Sequence, residues 1–340
     1  MSPVVIPARI KKILIIKPSA FGDIIHSLPF LNAVKSTFPN ARIDWVVAHG
    51  LHTFLEGHPM IDKLWVIKKD QWKKIGYLKS TLNEIFGLVK GLGKEKYDIA
   101  FDLSGILRSG LITLASKAYM KIGFEESDEG SPFFYTHKIK GGMDNHAIDR
   151  YLKLAGFIGC DTSSVNYPFA PFDNHSDICN ILPPNYVVIS PSAGKPANQW
   201  PAEKYGELAS MLPLPSVVIS SGADAAIAER VVKFSQGKAL SIAGKTTLKG
   251  LMPIIKGARF FITNDTGPMH LAAALEVPVV AVFGPANPVR TGPYGSIHRV
   301  IQKKLPCSPC YAWQPCSHWR CMNELTVREV FDVVKEMTET

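Results

Sequence analysis

The chain has 340 residues, enough for two domains, because single hydrophobic cores stop growing near roughly 250 to 300 residues. Hydrophobic residues make up 46% and charged residues 20%, which excludes disordered and fibrous classes. No apolar window is long enough to span a membrane, and prolines and basic residues interrupt the first 18 positions, so we expect no signal sequence and a cytoplasmic protein.

The net charge of +9 is locally concentrated in residues 68–80. Trp72 and Tyr77 are interleaved there with five lysines, Lys68, Lys69, Lys73, Lys74 and Lys79. This composition is typical of a surface that meets an anionic membrane or an acidic acceptor, and equally of a solvated helix face. No recognition motif accompanies the charge, so we do not expect nucleic acid as a partner.

The first half alternates predicted strands and helices. Apolar runs predict strands, and a spacing of three or four residues between apolar positions predicts helices. In chain order, strands are predicted at 13–16, 42–47, 64–67, 97–103 and 120–124, and helices at 24–38, 108–119 and 146–152. Prolines in polar surroundings at 160–183 predict a domain boundary.

The second half repeats this alternation. Strands are predicted at 186–189, 216–221, 258–263 and 279–283, and helices at 202–211, 222 onward, 248–256, 267–275 and 325–337. Alternation of this kind predicts parallel sheets covered by helices.

Residues 264–267, Asn-Asp-Thr-Gly, separate a predicted buried strand from a predicted helix. Free backbone amides at Thr266 and Gly267, together with the positive end of the helix dipole, suit a phosphate or diphosphate, and His270 lies one turn further on. The alternative is an ordinary helix cap.

Asp23 occupies the corresponding place in the first half, where a loop leads from the first strand into a helix. Open α/β sheets place their chemistry at the carboxyl ends of strands, although an Asp here is also a common helix cap. The loop lacks the G-x-G-x-x-G spacing of nicotinamide and flavin sites.

Three motifs, in this order along the chain, resemble the ADP-heptose:lipopolysaccharide heptosyltransferases of glycosyltransferase family 9. They are KILIIKPSAFGDIIHSLP, SPSAGKPANQWP followed by AEKYGELA, and NDTGPMHLAAAL with VPVVAVFGPANP and GPYG. The resemblance implies an α/β fold of GT-B architecture, with two Rossmann-like domains facing across a cleft. It implies no catalytic metal or other required cofactor. On this basis we expect an acceptor-side domain at 1–170, a donor domain at 171–324, and a C-terminal helix at 325–340 that packs back on the first domain.

The resemblance also implies roles for individual residues. Asp23 matches the family's catalytic base, which removes a proton from the acceptor hydroxyl while the diphosphate leaves from the opposite face of the sugar. The further candidates are Ser19, Gly22, Lys68 and Lys73 on the acceptor side, and Ser192, Lys195, Asn198, Asp224, Asp265, Thr266, Gly267 and His270 at the donor.

One position departs from the family pattern. Family members often carry a basic residue just before the Trp-Pro of the second motif, where this chain has Asn198 and Gln199. We expect Lys195 to reach the same phosphate if the loop bends at Pro196. Asp224 is the candidate for the nucleotide ribose.

Four cysteines, Cys307, Cys310, Cys316 and Cys321, lie in the segment 306–321 with the spacing C-x2-C-x5-C-x4-C. In a reducing compartment they form either a structural zinc site or a set of free thiols that pack a loop.

Together these features predict an inverting transferase that moves heptose from ADP-heptose to the inner core of lipopolysaccharide. Its acceptor would be an anionic glycolipid, and we expect a monomer in peripheral contact with the cytoplasmic face of the inner membrane. Two alternatives are a nucleotide-sugar epimerase or hydrolase of the same fold, and a binding protein that retains the donor site without turnover.

Overall fold

A computed structural model describes residues 10–72, 74–173 and 177–339. The chain divides into two compact units, Met1–Pro171 (unit 1) and Phe172–Thr340 (unit 2). This division lies next to the expected boundary between residues 170 and 171.

Unit 1 contains a six-stranded parallel sheet in the order β3-β2-β1-β4-β5-β6. Its strands are β1 Lys12–Ile16, β2 Arg42–Ala48, β3 Lys63–Ile67, β4 Ile99–Asp102, β5 Met120–Phe124 and β6 His137–Ile139. The central strands are buried almost throughout, which is why they read as continuous apolar runs in the sequence.

The helices of unit 1 connect these strands. They are α1 Phe21–His26, α2 Leu28–Thr37, α3 His52–Leu55, α4 Leu78–Glu95, α5 Leu107–Ala115 and α6 Ala147–Phe157, with short 3₁₀ turns at Ile75–Tyr77 and Ser131–Phe134. Helices α1 and α2 pack on α6, whereas α4 packs on α5. The second pair covers a core cluster that includes Leu88, Leu92 and Ile112.

Unit 2 repeats this design with a parallel sheet in the order β12-β11-β10-β7-β8-β9. Its strands are β7 Val187–Ser190, β8 Ser216–Val218, β9 Ala239–Ser241, β10 Phe261–Asn264, β11 Val279–Phe283 and β12 Arg299–Gln302. Its helices are α7 Ala202–Met211, α8 Ala225–Phe234, α9 Leu251–Lys256, α10 Gly267–Ala274, α11 Pro288–Thr291, α12 Arg320–Asn323 and α13 Val327–Glu339, with 3₁₀ turns at Asp177–Ile181, Pro196–Asn198 and Gly222–Asp224.

The two sheets have the same topology. In each, the first and fourth strands of the unit are neighbours, and the strand order reverses between them. Ligands of open α/β sheets bind at such a switch point, beyond the carboxyl ends of the strands. Each unit therefore has a candidate site in two loops: those that follow β1 and β4 in unit 1, and those that follow β7 and β10 in unit 2.

Several elements differ from the sequence-based expectations. The helix predicted at 24–38 is two helices separated at Ser27, whose hydroxyl donates to the carbonyl of Asp23 at 2.7 Å. The edge strands β6, β9 and β12 were not predicted, because each is short and only partly buried and thus carries little apolar signal. Helix α4 was also missed; it contains Gly87, Gly91 and Gly93, and glycine is a poor helix former.

The C-terminal helix α13 packs within unit 2. It contacts α7 and β11, and Val330 and Val334 are buried in the core of that unit. Packing of this helix back on the first domain, which the family resemblance implies, stays a prediction. Within the described part of the chain, no helix is both long and apolar enough to cross a membrane.

Candidate functional site

In unit 1, a lysine side chain joins the two loops at the switch point. Lys17 follows β1, and its Nζ donates to the carbonyl oxygen of Leu103, just after β4, at 3.1 Å. Its backbone is fixed by the indole of Trp45, which donates to the Lys17 carbonyl at 3.2 Å. The Lys17 side chain is thus held in a buried position between the two central strands.

Asp23 lies in the first turn of α1, and Lys17 is its ion-pair partner. The Lys17 Nζ is 3.5 Å from Asp23 Oδ2, and the amide of Ala20 donates to the same oxygen at 2.9 Å. Both contacts are made by Oδ2, and the Asp23 side chain is 39% exposed. The carboxylate is thus held through Oδ2 and remains partly open to solvent.

The environment of Lys17 keeps its ammonium charged. Burial by itself lowers the pKa of Lys17, but the attraction of Asp23, with smaller contributions from Tyr151 and Asp102, raises that pKa above the usual value for a lysine. Lys17 Nζ also lies 5.2 Å from the centroid of the Tyr151 ring. A fixed positive charge therefore stands behind the carboxylate of Asp23 at neutral pH.

The other acceptor-side candidates lie along the same edge of the sheet. Ser19 is half-buried and Gly22 is buried, and both belong to the loop and first turn that carry Asp23. Lys68 is exposed and follows β3, which is separated from β1 by β2. Lys73 lies outside the described residues.

In unit 2, a buried amide side chain joins the two loops at the switch point. Asn264 ends β10, and its Nδ2 donates to the carbonyl of Pro191, just after β7, at 2.6 Å. Its Oδ1 accepts from the backbone amide of Trp200 and from the hydroxyl of Tyr205, both at 2.9 Å. Asn264 therefore holds both ends of the loop between β7 and α7, the donor loop.

Two predicted donor residues meet above this amide. Asn198 Nδ2 donates to Asp265 Oδ2 at 3.1 Å, so the donor loop and the turn after β10 are directly connected. Asn198 is 5% exposed, and its Oδ1 has no hydrogen-bond partner in the described part of the chain. A buried acceptor of this kind is satisfied when a ligand donates a hydrogen bond to it.

Thr266 and Gly267 begin α10, as the sequence predicts. Thr266 is extended and precedes the helix, and Pro268 occupies its first turn. The first amides of an α-helix have no partner inside the helix and carry the positive end of its dipole. His270 is buried, one turn into α10. This turn thus provides backbone donors for an anion at the carboxyl end of β10.

The remaining donor candidates lie at the same edge. Lys195 and Ser192 are half-buried in the donor loop, and the expected bend at Pro196 is present as the turn Pro196–Asn198. The Lys195 ammonium lies 5.9 Å from the ring centroid of Trp313. Asp224 follows β8 and accepts from the hydroxyl of Ser221 at 2.7 Å.

The cysteine-rich segment supports the donor loop. The amide of Ala197 donates to the carbonyl of Trp313 at 3.2 Å, and the indole of Trp319 donates to the carbonyl of Ala197 at 3.0 Å. The amides of Cys310 and Tyr311 donate to the carbonyl of Pro285, directly after β11. The segment thus connects the donor loop to the end of β11.

The four cysteines themselves are close enough to interact electrostatically. Burial, with the neighbouring Cys316, Cys310 and Cys307, raises the pKa of the Cys321 thiol, and Cys316 Sγ lies 3.4 Å from His318 Nδ1. In the described residues, no group of three or more His, Cys, Asp or Glu side chains is arranged to hold a metal ion. Structural zinc at these cysteines therefore stays a prediction.

Two successive doubly wound units, each with polar loops at its switch point, have the GT-B architecture that is also seen in two Escherichia coli heptosyltransferase structures. Residues 85–318, more than half of the chain, match the sequence model of glycosyltransferase family 9 (heptosyltransferase). The chain therefore belongs to glycosyltransferase family 9 and is a glycosyltransferase.

Individual relatives agree with this family. The chain is 27% identical to the lipopolysaccharide core heptosyltransferase OpsX of Haemophilus influenzae, with 86% of this chain and 84% of the relative covered. It is 26% identical to lipopolysaccharide heptosyltransferase 1 of Pseudomonas aeruginosa, with 96% and 92% covered. The structure of the Escherichia coli heptosyltransferase WaaC with ADP-2-deoxy-2-fluoro heptose superposes with a TM-score of 0.76 at 22% identity, covering 96% of this chain and 99% of WaaC.

Sequence reasoning missed two residues that organise these loops. Lys17 and Asn264 both belong to quoted motifs, yet neither was assigned a role. The available signal was a polar residue at the end of each first or fourth strand, where an apolar run stops. Their roles depend on which strands are neighbours in the sheet, and the sequence alone does not give that order.

Proposed function

We propose that this enzyme transfers a heptose from ADP-heptose to the inner core of lipopolysaccharide, with inversion at the anomeric carbon. The observation that carries the proposal is the Lys17–Asp23 pair, which presents a half-exposed carboxylate at the switch point of unit 1. The names of the relatives support the acceptor class, and the ligand bound to WaaC supports the donor class.

In this mechanism Asp23 is the general base. Its Oδ1 accepts the proton of the acceptor hydroxyl as the oxygen attacks the anomeric carbon, and the bond from that carbon to the diphosphate oxygen breaks on the opposite face. Lys17 is a positioning residue, because it holds Oδ2 and leaves Oδ1 for the substrate.

The donor end of the reaction uses fixed dipoles. The amides of Thr266 and Gly267 bind the diphosphate and stabilise the charge that develops on it as the bond breaks. Asn198 Oδ1 accepts from a donor hydroxyl, since it is buried and has no hydrogen-bond partner among the described residues. Lys195 provides a cation for the phosphates, Ser192 and His270 add hydrogen bonds to the donor, and Asp224 binds the ribose.

The test is product formation from ADP-heptose and a lipid acceptor that carries only the innermost core sugars, with EDTA present. The wild type should transfer heptose, and Asp23→Asn should lose about 10² to 10⁴-fold in kcat, the usual contribution of a general base, with donor affinity unchanged. Asn is isosteric and still accepts the Ala20 amide, so the fold should survive.

Other outcomes would overturn the proposal. Loss of the sugar from ADP-heptose without acceptor would identify a hydrolase or epimerase. Tight ADP-sugar binding with no turnover by the wild type would identify a binding protein. Transfer by Asp23→Asn at the wild-type rate would remove Asp23 from the mechanism.

A further inference from the structure

Helix α5 in unit 1 exposes a stripe of leucines although Ile112 of the same helix packs into the core. Its leucines Leu107, Leu111 and Leu114 are 45%, 49% and 50% exposed. Its hydroxyl residues Ser109 and Thr113 are buried, and each donates to a backbone carbonyl, of Ile106 and Ser109 respectively, at 2.8 Å. The fold therefore buries these hydroxyl residues with Ile112 and leaves the leucine stripe in water.

Helix α4 carries a second exposed apolar stripe. Thr81, Leu88 and Leu92 face the core, with Leu92 fully buried. One position further around the helix, four apolar residues are exposed: Leu78 (60%), Leu82 (58%), Phe86 (69%) and Val89 (44%). Their spacing of four, four and three residues places them on one face of the helix.

The two stripes belong to one surface. Helices α4 and α5 pack on each other and cover the same core cluster, so their outward faces lie side by side. Burial of large apolar side chains is strongly favourable, and contiguous apolar surface of this kind on a folded protein marks an interaction site.

The charge around this surface is positive. Residues 68–96 contain eight lysines and three acidic residues. The acidic residues already have partners: Glu84 accepts from the amide of Lys68, Asp70 pairs with Lys69, and Glu95 pairs with Lys12, Arg42 and Lys63. Lys79, Lys90 and Lys94 follow the exposed stripe one residue further around α4, which leaves a basic border beside the apolar residues.

The surface is also connected to the proposed active site. Helix α4 follows β3 and α5 follows β4, so both begin on the edge of the sheet from which the Asp23 loop extends. A partner that covers α4 and α5 therefore reaches the edge of unit 1 that would receive the acceptor.

We propose that the exposed faces of α4 and α5 dock on an anionic lipid bilayer, with the leucine and phenylalanine side chains in the interfacial region and the lysines on anionic headgroups. An apolar face bordered by lysines is the pattern of helices that lie in the plane of a membrane surface. A second copy of the chain fits less well, because two basic borders would repel each other. The choice of a membrane agrees with the proposed glycolipid acceptor and to that extent rests on it.

The first experiment is flotation of the full-length protein with acceptor-free vesicles, in the absence of donor. Vesicles of phosphatidylethanolamine and phosphatidylglycerol should carry the wild type, and vesicles of phosphatidylcholine alone should carry much less. Leu82→Glu with Phe86→Glu should reduce the bound fraction at least tenfold, as should Leu111→Glu with Leu114→Glu. Lys79→Glu and Lys90→Glu should each weaken binding roughly fivefold, and only to anionic vesicles.

The matched control is Ile297→Glu, which places a charge at an exposed apolar position in unit 2 (46% exposed) and should leave flotation unchanged. Wild type that does not float with anionic vesicles, or α4 variants that float like the wild type, would overturn the proposal. A wild-type dimer that Leu82→Glu converts to a monomer would also overturn it, in favour of a second copy.

A transfer assay separates this inference from the proposed function. The α4 variants should keep the wild-type kcat on a detergent-free, soluble fragment of the acceptor and lose activity on the same acceptor in vesicles. Failure of the wild type to transfer heptose to any acceptor, with normal flotation, would overturn the function and leave the docking surface standing.

Discussion

The switch points of the two units share one strand order, but the side chain that joins the two loops differs in charge between them. In unit 1 a buried ammonium, Lys17, connects the loops after β1 and β4. In unit 2 a neutral amide, Asn264, connects the loops after β7 and β10. Unit 1 thus has a fixed positive charge that holds a carboxylate, whereas unit 2 presents backbone amides and hydrogen-bonding side chains without a buried charge at this point.

The difference fits the tasks proposed for the two sites. A base needs a carboxylate whose second oxygen is held in place, and an ammonium within 3.5 Å does this. A diphosphate already carries negative charge and needs donors in a fixed arrangement, which a helix N-terminus and a tethered loop provide. In the proposed mechanism, the same topology therefore serves opposite roles through one side chain at the end of a strand.

The largest expected effect on stability comes from removing the Asn264 side chain, which connects the loops after β7 and β10. Asn264→Ala leaves the Trp200 amide, the Tyr205 hydroxyl and the Pro191 carbonyl without their buried partner, which should lower the free energy of unfolding by about 3 kcal/mol. The donor loop also loses its anchor, so donor KM should rise. Urea denaturation and steady-state kinetics measure the two effects.

A matched control for that variant is Asn166→Ala, since Asn166 is exposed and donates only to the hydroxyl of Ser164 among the described contacts. It should change neither stability nor KM. Equal stability of Asn264→Ala and the wild type would show that the amide does not hold the loop.

The next largest effect comes from removing the Lys17 ammonium, which connects the loops after β1 and β4. Lys17→Met takes away the ammonium that holds Asp23 Oδ2, and kcat should fall about 10 to 30-fold, equivalent to roughly 1.4 to 2 kcal/mol, with donor KM nearly unchanged. A purely structural role would instead lower the fraction of active enzyme and leave the kcat of the folded protein intact, which active-site titration distinguishes.

Lys63→Met serves as the comparison for Lys17→Met. Lys63 also pairs with a carboxylate, Glu95, at 3.2 Å, but it begins β3 at the amino edge of the sheet. This variant should keep the wild-type kcat. A similar loss in both variants would attribute the effect to general destabilisation.

The smallest expected effect is the pH dependence of stability that His298 of unit 2 contributes. Burial lowers the pKa of His298 to about 4, and the Val279 amide donates to His298 Nδ1 at 3.2 Å, so the folded protein keeps this imidazole neutral. The unfolded chain takes up a proton near pH 6.5, so the contribution of His298 to stability is complete above that pH and is lost as pH falls from about 6.5 to about 4. We expect a loss of roughly 1 to 2 kcal/mol between pH 7.5 and pH 5, part of the way through this window.

Urea denaturation at pH 7.5 and pH 5 measures this dependence. In His298→Asn the side-chain oxygen still accepts from Val279 but does not titrate, so the difference between the two pH values should shrink. An identical difference in wild type and variant would assign the acid sensitivity to other groups.

Local sequence determined much of this protein. The apolar runs of β1, β7, β10 and β11 and the helix α7 were predicted close to their observed bounds, because fully buried parallel strands and well-formed helices carry their own signal. Asp23, Thr266 and Gly267 were placed correctly at strand-to-helix turns for the same reason, since the turn chemistry is local.

Tertiary structure alone decided the rest. The order of the strands makes neighbours of β1 and β4, and of β7 and β10, and only this order shows that Lys17 and Asn264 each connect two distant loops. The exposure of Leu82 and Leu111 likewise depends on which face of each helix the sheet covers. A sequence pattern records whether a residue is apolar, whereas pairing between strands and packing on a sheet determine what that residue contacts, and these contacts join residues far apart in the chain.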